Sequence, residues 1–184
     1  ELSLVQSTIA SFAVLASAGI GVTTTRYVAE LKSRNRLLLS SMLSFLHSVL
    51  LIFLVFVSTV IFVWADTIAE FFLNSDHLSV AICIAVIALF FYTLNGFQVG
   101  CLTGFEHIQE NAIIGAVSAI MAIPIAYVLT LKFQVLGAVW GLAFSAIMRW
   151  ILAEYFLGVA KRKWGIDTGF GKILGHWNII KEFA

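Results

Sequence analysis

Charge is what this sequence has least of. Asp, Glu, Lys and Arg together make up 11% of its 184 residues, against roughly 25% in soluble domains, so a surface fit for water cannot be assembled from it. Cysteine occurs twice, at Cys83 and Cys101. Eighteen residues of one helix hold them about 27 Å apart, which excludes a disulfide between them and leaves two packing residues. Proline occurs once, at Pro124, and no Pro-, Gly- or Ser-rich linker divides the chain. The common marks of catalysis are missing too: there is no metal-ligand cluster, nucleophile elbow or phosphate-binding glycine loop. No apolar block holds a pair of carboxylates. These absences argue against an enzyme and call for no cofactor.

What is present is apolar. Hydrophobic residues reach 61%, the mean hydropathy is +1.01, and the apolar residues come in blocks. Leu37 to Ala65, Leu78 to Phe105 and Asn111 to Leu131 contain no charged residue; each can cross a bilayer, which takes roughly 20 apolar residues of helix. The alternating ten-residue strands of a β-barrel are not seen. The pattern predicts an all-α polytopic membrane protein with five spans: Leu2 to Thr25, Leu37 to Ala65, Leu78 to Thr103, Ala112 to Leu131, and Val135 to Gly158. The second is longer than a bilayer needs and should tilt or project. Residues 1–158 form one transmembrane bundle and 159–184 a cytoplasmic amphipathic linker. The chain starts at Glu1 without Met or basic leader and ends in an apolar NIIKEFA, so both ends read as cut from a larger transporter-like protein.

The few charges are arranged by side. Arg26, Lys32, Arg34 and Arg36 follow the first span; Lys161, Arg162, Lys163, Lys172 and Lys181 follow the fifth. The opposite connections hold Lys132 with Asp66, Glu70 and Asp76. The lysine and arginine bias places the first group in the cytoplasm, the N-terminus of the chain outside and its C-terminus inside. The inner loop around Glu106 and His107 is read as solvated. Two stretches have interfacial patterns, a short outer helix over Thr67 to Asn74 and a tail helix whose Phe170, Ile173, Leu174 and Trp177 share one face.

Inside the spans, small residues repeat every four positions: Gly96, Gly100 and Gly104 in the third, Gly137, Gly141 and Ser145 in the fifth, and Gly115 with Ala119 more weakly in the fourth. Such stripes let helix backbones approach closely where lipid offers no hydrophobic drive. Arg149 continues the fifth-span stripe, about 13 Å from the inner end. It can snorkel, pair with Glu154, or hold an anionic group with its guanidinium fork. Asn95 and Gln98 lie about 60° apart on the third helix, away from its glycines. They can line a polar cavity and bond sugar hydroxyls, or simply bond across to a neighbouring helix. His47 reads as a packing histidine with a proton relay as the alternative, and Pro124 as the site of a bend.

The stretch Gly19-Ile-Gly-Val-Thr-Thr-Thr-Arg-Tyr-Val-Ala-Glu30 resembles the end of the second transmembrane helix of bacterial polysaccharide flippases. These belong to the multidrug/oligosaccharidyl-lipid/polysaccharide exporter superfamily and include the O-antigen flippases. Gly100-Cys-Leu-Thr-Gly104-Phe-Glu-His is similar to that family's fourth helix and short inner loop, and Leu136-Gly-Ala-Val-Trp-Gly141 to the start of its sixth. The resemblance implies that the five spans are helices two to six, most of one six-helix lobe of a two-lobe transporter in the bacterial inner membrane. It implies alternating access for a lipid-diphosphate-linked oligosaccharide serving O-antigen, capsule or another surface polymer. Its partners would be that cargo, membrane lipids and other polysaccharide-assembly membrane proteins, with no nucleic acid. Substrate contacts then fall to Arg149, Asn95 and Gln98, by position and not by a family motif. Two rivals stand beside this reading: a cation-coupled multidrug exporter of the same superfamily, and a membrane-embedded glycosyltransferase or polymerase of the same pathway. The exporters' second helix typically closes on a Gln-containing glycine motif, where this chain has Arg26-Tyr-Val-Ala-Glu30. A transferase needs a larger external loop than the short ones here.

Overall fold

A computed structural model of the protein describes residues 19–65, 67 and 79–166, and among these it is helical with no strand. The elements are α1 (19–34), α2 (Arg36–Val63), α3 (Ser79–Gly104) and α4 (Ile108–Trp164). Three of them, α2, α3 and α4, are long and apolar enough to cross a membrane. Most of the expected first span, the tail helix, and the outer helix apart from Thr67 lie outside the described residues.

α1 does not stop at Thr25. It continues through the basic run to residue 34, leaving Asn35 alone as the connection to α2. Leu, Lys, Arg, Ala and Glu are good helix formers, so the loss of apolarity after Thr25 marks a change of solvent and not the end of the helix. Asn35 then starts α2 as its N-cap, its side-chain oxygen accepting from the Leu38 N–H at 3.0 Å. The threonines are tolerated in an apolar helix because each hydroxyl donates one turn back: Thr23 to the Gly19 carbonyl and Thr24 to that of Ile20. Thr25 shares its hydroxyl between the carbonyls of Gly21, at 2.9 Å, and Gly100 on α3, at 3.0 Å. Back-bonding of this kind leaves no donor unspent in lipid.

The Thr25–Gly100 bond belongs to a long seam. A Cβ on Gly100 would lie 2.5 Å from the Gly21 carbonyl oxygen, and one on Gly104 would lie 2.5 Å from Val28 Cβ. Further along, Lys32 reaches Glu106. The offset between partners stays nearly constant, so α1 and α3 run parallel, and the third-span glycine stripe is the groove that seats α1.

α4, at 57 residues, is too long for one crossing of a hydrocarbon core about 30 Å thick. It folds back at Gln134, whose φ of 50° and ψ of −123° match the first central residue of a type II′ turn. Gly141 meets Ala126, Gly137 meets the Leu129 carbonyl, and Arg149 meets Ser118. Each pair is centred near Gln134, so the two arms are antiparallel. This break is the one departure from helical geometry inside α4; Pro124 lies within the first arm without one. Gly115 faces nothing within 4 Å, so the weaker fourth-span stripe is not a helix contact among the described residues.

α3 is the central helix. Most of its apolar stretch is buried within the protein, whereas little of that of α2 or α4 is. Leu43 and Leu50 of α2, Leu94 and Leu102 of α3, and Leu157 of α4 form the main core. Ala81, Ala85 and Ala88 of α3 pack on Val139 and Ala143 of the second α4 arm. α4 closes on Gly165, in the left-handed region at φ 65°. The Gly165 N–H bonds the Arg162 carbonyl and the Ile166 N–H that of Lys161, the Schellman arrangement. Lys161, Arg162 and Lys163 in this last turn complement the helix dipole.

Candidate functional site

Three helices converge on one polar cavity of about 230 Å³. α2 contributes Ser44, His47 and Ser48, α3 contributes Gln98 and Cys101, and the second arm of α4 contributes Glu154 and Lys161. The spacings explain the convergence. Ser44, His47 and Ser48 stand at i, i+3 and i+4 on one face of α2, Gln98 and Cys101 are three apart on α3, and Glu154 and Lys161 are seven apart on α4. Leu43, Phe97 and Leu157 provide apolar wall, and the Phe97 ring lies 5.4 Å from the His47 ring.

At the centre, Gln98 Nε2 donates to Glu154 Oε2 at 2.7 Å. Gln98 is buried and Glu154 is exposed on the bundle surface, so the cavity runs inward from a mouth at Glu154. The Gln98 carbonyl oxygen has no hydrogen-bond partner among the described residues. A buried acceptor left in that state costs about 1–3 kcal/mol. The acceptor that faces the open end of the cavity is the exposed Glu154 carboxylate.

The three residues singled out in the sequence are not brought together. Gln98 lines the cavity. Asn95, one turn away, is buried with its Nδ2 unpartnered among the described residues and is not in the cavity lining. Arg149 Nε donates to the buried Ser118 hydroxyl at 3.2 Å, inside the α4 hairpin. Glu154 is taken by Gln98, and no ion pair joins it to Arg149. The sequence reading missed the cavity residues Ser44, Ser48 and Lys161 and gave Glu154 only as a partner for Arg149. The available signal was the polar face Ser44–His47–Ser48 within an otherwise apolar span.

A second polar cluster lies at the basic end of the bundle. Lys32 Nζ is 2.6 Å from Glu106 Oε1 and 5.7 Å from the Trp164 ring centroid, and Phe105 stacks on Trp164 at 6.3 Å. His107 Nδ1 lies 2.6 Å from Glu110 Oε1. The loop read as merely solvated is thus tied down, exposed as Glu106 is, by one ion pair and one side-chain hydrogen bond. The hydrogen bond and charge of Lys32 hold the Glu106 carboxyl below its ordinary range. Contacts here join the ends of α1, α3 and α4.

Among the described residues no group of three or more His, Cys, Asp or Glu side chains could hold a metal ion. The cavity's chemistry is that of hydrogen bonding, with the side chains of Glu154, Lys161, Gln98, His47, Ser44, Ser48 and Cys101 on its wall.

The model of a family described as "Polysaccharide biosynthesis protein" matches residues 1–178. No curated protein and no solved structure matches the chain. The match runs over all the described helices, with their membrane-length apolar stretches and the seam between α1 and α3. This multi-pass membrane chain belongs to the polysaccharide biosynthesis protein family.

Proposed function

We propose that this chain is most of the first lobe of a flippase. The protein moves a lipid-diphosphate-linked oligosaccharide across the bacterial inner membrane by alternating access, for assembly of a surface polysaccharide. The family match over residues 1–178 carries the reading. In it the chain crosses the membrane five times, with α1, α3 and the second α4 arm running inward as parallel helices. The N-terminus of the chain lies outside, and the end bearing Lys32, Arg36 and Lys161 to Lys163 lies in the cytoplasm, in keeping with the positive-inside bias. The protein transports and does not catalyse. Its cargo is the lipid-linked oligosaccharide; membrane lipids and other polysaccharide-assembly proteins surround it.

Close packing along the Gly100 and Gly141 seams supports motion of the lobe as a rigid body, which alternating access requires. In this reading Gln98 and Asn95 serve sugar hydroxyls; both are buried, and Gln98 alone of the two lines the cavity. Arg149 commits Nε to Ser118, and the rest of its fork suits the diphosphate. In a strain lacking the gene, lipid-linked repeat units accumulate on the cytoplasmic side and surface polymer is lost; full-length Arg149→Ala reproduces the accumulation. Increased drug susceptibility with intact polymer would instead indicate an exporter, and repeats reaching the outer face unpolymerised would indicate a polymerase.

A further inference from the structure

The cavity at Glu154 poses a problem of solvent. Its mouth bears an exposed carboxylate about 6 Å, one helical turn, inside the Gly158 end of the fifth span and nearer that end than Arg149. A carboxylate so close to the inner end can be solvated from the cytoplasmic side, which opens the mouth of the cavity to water there. By contrast, α2 exposes Phe53 and Phe56, and the first α4 arm exposes Ile120 and Ile123, faces that suit acyl chains.

Inside the mouth, Glu154 Oε2 accepts from Gln98 Nε2, which fixes the carboxylate while leaving it acceptor capacity for a hydroxyl donor. Lys161 supplies a cationic donor on the same wall, Ser44 and Ser48 supply hydroxyls, and Phe97 supplies an apolar surface for C–H groups. A volume of about 230 Å³ holds a single sugar ring and no drug-sized ligand, whose pockets run to roughly 300–1,000 Å³.

We propose that the cavity between α2, α3 and the second arm of α4 is a subsite for one sugar ring of the cargo, open to water at its Glu154 mouth, with the Glu154 carboxylate, held by Gln98, accepting from a sugar hydroxyl. The assignment rests on the flippase reading for its ligand. It goes further in naming the cavity and in giving Glu154 a direct contact.

The test uses the full-length protein in membrane vesicles, with Cys83 and Cys101 replaced by Ser and Ala. Cysteines are placed singly at Ser44, Ser48 and Phe56 and exposed to a charged methanethiosulfonate, which reacts with thiols that water reaches. Ser44→Cys and Ser48→Cys label and Phe56→Cys does not. The oligosaccharide released by mild acid from the strain's own lipid-linked precursor protects Ser48→Cys. Adding Glu154→Ala weakens that protection by roughly tenfold to a hundredfold, the worth of a hydrogen bond to a charged group. Unreactive thiols at both serines overturn the open cavity. Reactive thiols without protection, or protection unchanged by Glu154→Ala, overturn the sugar subsite. Failure of the flippase reading shows separately, as normal translocation of lipid-linked repeats in the deletion strain. Serine to cysteine is close to isosteric, so the labelling arms survive even if Glu154→Ala does not fold.

Discussion

At the scale of single residues, glycine is used selectively. Gly100 and Gly115 both sit in helices, but a Cβ on Gly100 would meet the Gly21 backbone oxygen at 2.5 Å, whereas one on Gly115 would meet nothing within 4 Å. Backbone cannot step aside as a flexible side chain can. Gly100→Ala should therefore destabilise the folded protein by about 1–3 kcal/mol, the usual cost of overpacking, while Gly115→Ala should be neutral or slightly stabilising through helix propensity. Thermal unfolding of the two full-length variants in the same detergent checks the contrast. The Lys32–Glu106 pair makes a pH prediction. Lys32 depresses the Glu106 carboxyl below its ordinary value of about 4.5, so the folded state binds this proton less readily than the unfolded state does. The pair's contribution is complete above the unfolded value and is lost as pH falls through the lower folded one. Glu106→Gln should flatten the loss of thermal stability on acidification below about pH 4.5, and because Glu106 is exposed the change will be small.

At the scale of elements, ends and turns set the arrangement. Asn35 is the whole of the connection between α1 and α2, and its cap bond to Leu38 starts α2. Asn35→Ala should cost about 1 kcal/mol, and Asn35→Asp, which keeps the acceptor, should cost much less. Gln134 holds a backbone conformation normally given to glycine, at a strain of order 1–3 kcal/mol. Gln134→Gly should relieve part of it and raise the unfolding midpoint, with the added freedom of glycine in the unfolded chain offsetting some of the gain. How far such elements can be read in advance depends on what the pattern reports. α2 and α3 begin and end within two residues of the expected second and third spans, while the expected fourth and fifth spans fall within α4 on either side of Gln134. Hydropathy failed at Thr25, where the helix outlasts the apolar segment. The reversal at Gln134 falls in the connection expected between Leu131 and Val135, whereas the bend expected at Pro124 brings no departure from helical φ and ψ. Glycine spacing told which faces pack closely but not against what: the third-span stripe takes α1, and the fifth-span stripe takes the other arm of its own hairpin. Gln98 was found, with Asn95, as one of two amides in an apolar span. Its partner Glu154 is distant in sequence and came to light only with the juxtaposition of α3 and α4.

At the scale of the whole molecule, the polar contacts are concentrated at one end. The ends of α1, α3 and α4, with Lys32, Arg36, Glu106 and Trp164, gather around Gly165, and the remaining surface is largely apolar. If that end faces the cytoplasm, a cysteine replacing Lys163 should react with an impermeant maleimide only in inside-out vesicles, and one replacing Lys132 at the hairpin turn only in intact cells. The opposite pattern would invert the proposed topology. The parallel seam between α1 and α3 also governs the order of assembly. Thr25 and Gly100 are 75 positions apart, so α1 is synthesised before its partner exists. At synthesis rates of about 5–20 residues per second, the wait is roughly 4 to 15 s. During that interval the Thr25 hydroxyl has its own Gly21 carbonyl to bond, and the groove-facing side of α1 is covered by lipid or by the insertion machinery. The arrival of α3 thus turns a bond within one helix into one shared between two, and sets the earliest time at which this half of the bundle can lock.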